Sequence, residues 1–229
     1  MGHMTLTLLC LAAYILAVTP LEPDAVFRAT TYINNNIFSG LQGEYAFFVK
    51  FTANECNGGL QEAALRTALR DISSRTVQNR LNSGHIYEGG RLVAAKPIVT
   101  GPYTDHAEYR LLYPTAYSEH NDSPIGWLLG DAADRLGCVI FYSALSPCID
   151  QCANPDVKYN LKYGLESLRN LPSNRAFAFR YVYGPDRDQM KLFISWPSLN
   201  NAIPLYRCNN NNCRKCIDNN GAIDPVCHS

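Results

Sequence analysis

The sequence lacks a net charge, because its 20 Lys and Arg residues are matched by 20 Asp and Glu residues. This balance excludes a uniformly basic surface of the kind that binds nucleic acid through its phosphates. Charged residues are also scarce, at 17% of the 229 residues, whereas hydrophobic residues make up 47%. A chain with so much apolar surface can bury a core, so the composition excludes intrinsic disorder and predicts one ordinary domain.

The sequence also lacks a long hydrophobic segment and an internal repeat. The apolar run over residues 6–18 contains no charge, but it is shorter than the about 20 residues that a membrane-spanning helix needs. Its length suits the hydrophobic region of a secretory signal. Residues 1–20 are therefore predicted to be a signal peptide, and the mature protein is predicted to be secreted with no membrane segment. A buried N-terminal helix is the alternative.

Cysteine, by contrast, is plentiful, since the chain contains nine. Such a number is typical of proteins from an oxidising compartment. Four of the cysteines lie in residues 205–229, a polar tail with few apolar residues. Disulfides are favoured there over a zinc ribbon. The pairing stays open, and a free thiol is the alternative for Cys138 on its buried strand. The six candidates for disulfides are Cys56, Cys138, Cys208, Cys213, Cys216 and Cys227.

Strand and helix patterns alternate along residues 21–204. Runs of β-branched and aromatic residues predict strands, and apolar residues at helical spacing predict helices. The alternation predicts an α/β domain of three layers, α/β/α, around a central mixed sheet of about five strands. The predicted strands are 45–51, 86–93, 138–142 and 176–183, with 190–196 as a last strand or short helix, and the predicted helices are 25–38, 60–81, 123–136 and 148–171.

Two separated segments contain residues that together can bind zinc. His106 and Glu108 lie at a predicted helix start, and Cys148 and Cys152 lie where a buried strand meets the next helix. One histidine and two cysteines can supply three tetrahedral ligands to zinc and leave a fourth position for water. Cysteines four residues apart project from one face of a helix. A disulfide between them is the alternative, since their Cα atoms would be about 6 Å apart.

Glu108 stands two residues after the histidine, close enough to carry protons without entering the ligand shell. Zinc-dependent nucleobase deaminases combine these residue types as H-x-E…P-C-x-x-C, with the glutamate as general acid and base. In this chain Pro147 directly precedes the first cysteine. The joint occurrence of both halves, in this order and on these elements, predicts a deaminase site.

Three segments resemble those of the AID/APOBEC-like polynucleotide cytidine deaminases. Residues 106–112, H-A-E-Y-R-L-L, are similar to the family's H-A-E-L-R-F-L helix, and residues 143–148, S-A-L-S-P-C, are similar to its S-W-S-P-C strand end. Residues 179–186, F-R-Y-V-Y-G-P-D, resemble its aromatic strand and substrate loop. The resemblance covers roughly residues 25–200 and is strongest to the secreted novel AID/APOBEC-like deaminases of vertebrates.

The resemblance implies a role for each matching residue. Glu108 would carry the proton in catalysis, and zinc would be the cofactor. The Ser146 carbonyl would accept a hydrogen bond from the cytosine amino group, and Leu145 would form a pocket wall where the family usually has Trp. Residues 53–84 look like an insertion into the family's domain. The implied zinc ligands are His106, Cys148 and Cys152, and the implied base-contacting residues are Tyr181 and Tyr183.

The function predicted from these observations is zinc-dependent hydrolysis of cytosine to uracil by a secreted enzyme. Its substrate would be single-stranded DNA or RNA, and it would have a role in immunity. One alternative is a deaminase of free cytidine. Residues 101–156 carry eight acidic and two basic residues, a net charge of −6, and an acidic rim repels phosphates. The other alternative is a catalytically silent secreted immune binding module that retains the zinc site.

Overall fold

The computed structural model describes residues 21–101, 103–130, 137–157, 160–168, 171–172, 174–187 and 192–229. The predicted signal peptide lies outside the described residues, as do residues 131–136 of the predicted helix 123–136. None of the described helices combines the length and the apolar character that crossing a bilayer requires.

In chain order the described strands are β1 Ala46–Phe51, β2 Tyr87–Glu88, β3 Leu92–Ala95, β4 Ile98–Thr100, β5 Tyr103–Asp105, β6 Cys138–Leu145, β7 Asn174–Tyr181, β8 Leu205–Cys208 and β9 Cys213–Lys215. Seven of them form one open sheet, in the order β2-β3-β1-β6-β7-β8-β9. The other two, β4 and β5, pair with each other as a hairpin.

The expectation of about five strands is too low, although the predicted α/β class is confirmed. The predicted strand 86–93 is two strands, β2 and β3, because Gly89 and Gly90 form a turn between them. The predicted tail adds β8 and β9, and β8 pairs with β7 in parallel. The predicted element 190–196 lies in a helix where it is described.

The sheet is mixed, with β6 at its centre. β6 pairs antiparallel with β1, where Phe141 lies opposite Phe48, and parallel with β7, where it lies opposite Phe177. The first six residues of β6 are buried, as expected for a strand covered on both faces. β6 and β7 run in the same direction, so their carboxyl ends meet at one edge of the sheet, which is where α/β proteins place ligand sites.

Helices cover both faces of the sheet, which confirms the three-layer architecture. One face is covered by α1 Pro23–Asn36, α2 Ala53–Asn57, α3 Glu62–Ala68 and α4 Ser74–Asn82. The other face is covered by α5 Ala107–Leu112, α6 Pro124–Leu129, α7 Leu161–Glu166 and α8 Leu192–Ala202. Successive residues of β1 point to opposite faces, so Phe47 packs in the core beside α1 to α4 and Phe48 packs in the core beside α5 to α8.

Two predicted helices are wrong in their extent. The predicted helix 60–81 is interrupted at residues 69–73, and α4 begins anew because the Ser73 side chain accepts a hydrogen bond from the Thr76 amide. Among its described residues, the predicted helix 148–171 is helical only in α7, and residues 149–152 form turns. Pro155 disfavours helical backbone at the residue before it, and Asn160 caps the later start of α7.

Six cysteines form three disulfides, Cys56–Cys138, Cys208–Cys213 and Cys216–Cys227. The prediction of disulfides is therefore confirmed. A zinc ribbon in the tail and a free thiol at Cys138 are both wrong, because these cysteines are paired. Cys148 and Cys152 are free thiols, so the alternative of a disulfide between them is wrong as well.

We expect the Cys56–Cys138 disulfide to stabilise the protein more than the Cys208–Cys213 disulfide. The two bonds span 82 and 5 residues, and closing the longer loop removes more entropy from the unfolded chain. The expected losses in unfolding free energy are about 4–5 kcal/mol for paired Ala substitutions at the first bond and about 2 kcal/mol at the second. Urea unfolding of the two double variants would measure the difference, and equal losses would contradict the expectation.

Candidate active site

The predicted metal-binding residues lie beside the carboxyl ends of β6 and β7. His106 is the N-cap residue of α5 and has extended backbone, whereas Glu108 lies in the first turn of that helix. After β6, Cys148 lies just before the turns at residues 149–152 and Cys152 lies at their end, so neither cysteine is in a helix. Their common location therefore comes from the turns after β6 and not from the helical spacing that the sequence suggested.

The structure brings the three donor side chains together. The His106 Nδ1 atom lies 3.2 Å from the Cys152 sulfur and 3.7 Å from the Cys148 sulfur. All three donor atoms lie within 4.8 Å of one another. In a tetrahedral zinc site with ordinary bond lengths, a nitrogen and a sulfur ligand are about 3.6 Å apart. The side chains therefore fit zinc in donor type and in spacing.

Hydrogen bonds at the donor cluster favour a thiolate. Hydrogen bonding by Cys152, and then by His106, lowers the pKa of the Cys148 thiol to about 4. The same contact with Cys148, together with burial, raises the pKa of the Cys152 thiol. A bound cation would draw both sulfurs to the thiolate form, because metal ligands must be deprotonated.

The Glu108 carboxyl is buried and incompletely paired. The residue is 2% exposed, and burial raises the pKa of its carboxyl to about 7. Ser143 lies near it and lowers this pKa in part. Within the described chain, neither Glu108 Oε2 nor Ser143 Oγ makes a hydrogen bond of regular geometry. Since buried polar atoms are normally paired, this oxygen is available to a ligand.

The donors and Glu108 line one small cavity of about 220 Å³, here called the inner cavity. Its other lining residues are Glu44, Thr104, Leu145, Ser146 and Tyr183. Three residues that the resemblance implied as substrate contacts, Leu145, Ser146 and Tyr183, therefore lie at the cavity. Tyr181 does not line it, but it is 53% exposed at the end of β7, directly opposite Leu145 on β6.

Sequence reasoning missed Glu44 and Thr104. Glu44 lies just before β1, and Thr104 lies in the middle of β5, far along the chain from the cysteines. Burial raises the pKa of the Glu44 carboxyl, and the proximity of His106 lowers it in part. Neither residue belongs to a recognisable motif; Thr104 lies two residues before His106, whereas Glu44 reaches the cavity only in the folded chain.

Hydrogen bonds tie the turn that carries the cysteines to the loop after β7. The Ser146 amide donates to the Tyr181 carbonyl over 2.7 Å, and the Tyr183 amide donates to Ser146 Oγ over 2.9 Å. The Ile149 amide donates to the buried Asp186 carboxylate over 2.8 Å. Asp186 is the last residue of the segment 179–186 that resembles the family, but only the structure shows that its carboxylate holds the peptide next to Cys148.

We expect Asp186→Ala to lower the unfolding free energy by about 1–3 kcal/mol, because the buried Ile149 amide would lose its acceptor. Asp186→Asn should lose less, since its amide oxygen can still accept. The control is Asp71→Ala, at a side chain that is 91% exposed, where a change within about 0.5 kcal/mol is expected. Chemical denaturation of the three variants measures the effect, and an unchanged Asp186→Ala protein would exclude this supporting role.

Comparison with known proteins decides the family. The sequence model of the family described as Secreted Novel AID/APOBEC-like Deaminase 1 matches residues 23–228. The chain belongs to this family. No curated protein and no solved structure matches it.

Membership of the Secreted Novel AID/APOBEC-like Deaminase 1 family confirms the resemblance seen in the sequence. The match begins at α1 and includes the donor cluster, Glu108 and the tail cysteines. The family's description, a secreted deaminase, fits both the three disulfides and the presence of a cluster that can hold a metal ion.

Proposed function

We propose that the protein is a secreted, zinc-dependent enzyme that hydrolyses cytosine to uracil and ammonia. The observation that carries this proposal is the shared inner cavity, in which the buried Glu108 carboxyl stands beside the three donor side chains. A Lewis acid and a proton carrier at one small site are what hydrolytic deamination of a base requires.

The donor set supports zinc as the cofactor. Two cysteine sulfurs and one histidine nitrogen are ligands that zinc prefers, and three protein ligands are typical of catalytic zinc sites. Zinc held by His106, Cys148 and Cys152 would supply a Lewis acid that makes water nucleophilic near neutral pH. The chain's own residues would provide the rest of the chemistry.

Glu108 would move both protons of the attacking water. As the water oxygen bonds to C4 of cytosine, Glu108 would take one proton and deliver it to N3. It would then carry the second proton to the amino group, which leaves C4 as ammonia while the C4 carbonyl of uracil forms. A carboxyl with a pKa of about 7 can accept and return a proton near neutral pH.

The other residues of the inner cavity would hold the base. Leu145 would pack against the ring, and the Ser146 carbonyl would accept a hydrogen bond from the cytosine amino group. Tyr183 lines the cavity and would contact the base at its edge. The volume of about 220 Å³ is below that of sites for drug-sized ligands, about 300–1,000 Å³, and so favours a single small ring.

Two forms of the substrate are consistent with a cytosine site. The exposed ring of Tyr181, with the Arg180 guanidinium 5.2 Å from its centre, could stack on a neighbouring base of single-stranded DNA or RNA. The family resemblance implies both this binding of nucleic acid and a role in immunity. Free cytidine is the other form, and the acidic groups at the cavity favour it.

Ammonia release from cytosine-containing substrates tests the proposal. The purified mature protein, loaded with zinc, would be incubated with cytidine and with single-stranded DNA and RNA oligonucleotides that contain cytosine. We expect uracil to form in step with ammonia from at least one of them. A protein that retains zinc and converts none of them would be the silent binding module instead.

A further inference from the structure

A second cavity adjoins the inner cavity at the donor cluster. It measures about 460 Å³ and is here called the outer cavity. The two cavities share three lining residues, Thr104, His106 and Cys152. The outer cavity falls within the range of about 300–1,000 Å³ that is usual for small-molecule sites. A ligand with its ring in the inner cavity therefore has room for a second group beside the donors.

The charged groups at both cavities are acidic apart from His106. Glu44 and Glu108 line the inner cavity, and Asp105 lines the outer one. Among the described lining residues of either cavity there is no Lys or Arg. Proteins hold phosphate groups with Arg, Lys or clustered backbone amides. The described part of the lining thus lacks the cationic side chains that would retain a phosphodiester.

Two nearby arginines, Arg110 and Arg180, are engaged elsewhere. Arg110 donates to the carbonyls of Gly84 and Lys96, and it lines neither cavity. Arg180 donates to Asn210 Oδ1 and lines a different cavity on the α1 side of the sheet. Tyr181, the exposed ring beside Arg180, lines neither the inner nor the outer cavity. The possible stacking surface therefore lies outside the enclosed site.

The outer cavity suits a neutral polyhydroxyl group. The rings of Tyr103 and Tyr109 give it an apolar surface, while Thr104, Asp105 and Gln151 add hydroxyl, carboxyl and amide groups. Sugar hydroxyls are both donors and acceptors, so they can donate to a carboxylate, whereas a phosphate oxygen cannot. An acidic, partly aromatic lining therefore discriminates between a sugar and its phosphate ester.

We infer that the substrate of this site is a free cytosine nucleoside, with its base in the inner cavity and its sugar directed to the outer cavity, and that Glu44 and Asp105 exclude phosphorylated forms. The inference rests on the proposed cytosine deamination and names its substrate class. Glu44 would be a specificity-determining residue, because its carboxyl group lines the cavity that holds the base, and a negative charge there repels a phosphate that is attached to the sugar.

Steady-state kinetics on three substrates tests the inference. Cytidine, cytidine 5′-monophosphate and a cytosine-containing single-stranded oligonucleotide would be compared with the zinc-loaded protein. Since like charges brought together cost several kcal/mol, we expect kcat/KM for cytidine to exceed that for the monophosphate by about 10²-fold. This difference should come mainly from a higher KM for the monophosphate, because the repulsion opposes its binding.

Substitution of Glu44 isolates the charge effect. Glu44→Gln keeps the size of the side chain, and it should reduce the preference for cytidine over the monophosphate by about tenfold. The control is Glu62→Gln, at an exposed glutamate in α3, which should leave the preference unchanged. An unchanged preference in Glu44→Gln would remove Glu44 from the determination of specificity.

Ionic strength should change KM in opposite directions for an excluded monophosphate and for a strand that is bound through its phosphates. Salt screens repulsion, so added salt should lower KM for the monophosphate if acidic groups exclude it. A strand that is bound through its phosphates would instead lose affinity as salt rises. An oligonucleotide that is the best substrate, with KM increasing with salt, would overturn the inference while leaving the proposed deamination intact. If none of the three substrates is converted, both the inference and the proposed deamination are wrong.

Discussion

Replacement of Glu108 by glutamine is expected to reduce turnover of cytosine by about 10⁴-fold, with zinc content and fold unchanged. General acid–base catalysis is typically worth 10²–10⁴-fold, and Glu108 would act in both proton transfers, so the loss should reach the upper end. Glutamine keeps the shape and the hydrogen-bonding reach of the side chain but cannot take up or return a proton. Removal of a buried acid is not expected to weaken the fold.

The measurement is kcat on the best cytosine substrate, together with zinc content by atomic absorption. Glu62→Gln is the matched control, since Glu62, like Glu108, lies in the first turn of a short helix but is exposed. Turnover at the wild-type level in Glu108→Gln would mean that another group carries the proton, and the mechanism given above would fail.

Replacement of His106 by alanine is expected to remove zinc, activity and stability together. The substitution deletes one of three donors, and the remaining pair of sulfurs should bind the metal far more weakly. Zinc at about a hundredfold excess over its dissociation constant stabilises a protein by about 2.7 kcal/mol. The wild type should therefore melt at a lower temperature after treatment with a chelator and recover on addition of zinc, whereas His106→Ala should respond to neither.

Thermal unfolding with and without a chelator gives this comparison. His85→Ala is the control, because His85 is exposed and its side chain contacts Ser83, away from the donor cluster. If His106→Ala retained one zinc per chain, or if chelation left the wild-type melting temperature unchanged, His106 would not be a metal ligand.

The family, the layered α/β fold and the residues of the donor cluster could all be predicted from the sequence. The donor cluster can be predicted because its residues occur in two short motifs, and the chemistry restricts the order and spacing of these motifs. His106 and Glu108 are two residues apart at one helix start, and Pro147 directly precedes Cys148. Such local patterns survive in a sequence without any knowledge of tertiary contacts.

Features that depend on contacts between distant segments cannot be predicted from the sequence. Glu44 reaches the inner cavity only because β1 pairs with β6, and Asp186 reaches the Ile149 amide only because the loop after β7 folds over the turn after β6. The disulfide pairings were open for the same reason, since spacing along the chain does not determine which cysteines meet. The interruption of the predicted helix 60–81 reflects local capping by Ser73, which the apolar periodicity concealed.

The two edge strands of the sheet are the shortest of its seven strands. β2 has two residues and β9 has three, whereas the central strands β6 and β7 have eight each. Short edge strands expose few unpaired amides and carbonyls to another molecule, which is one way in which proteins avoid edge-to-edge aggregation. Residues 205–215, closed by the Cys208–Cys213 bond, therefore protect the long strand β7 from intermolecular pairing. A chain truncated before β8 would present β7 as an open edge and should self-associate.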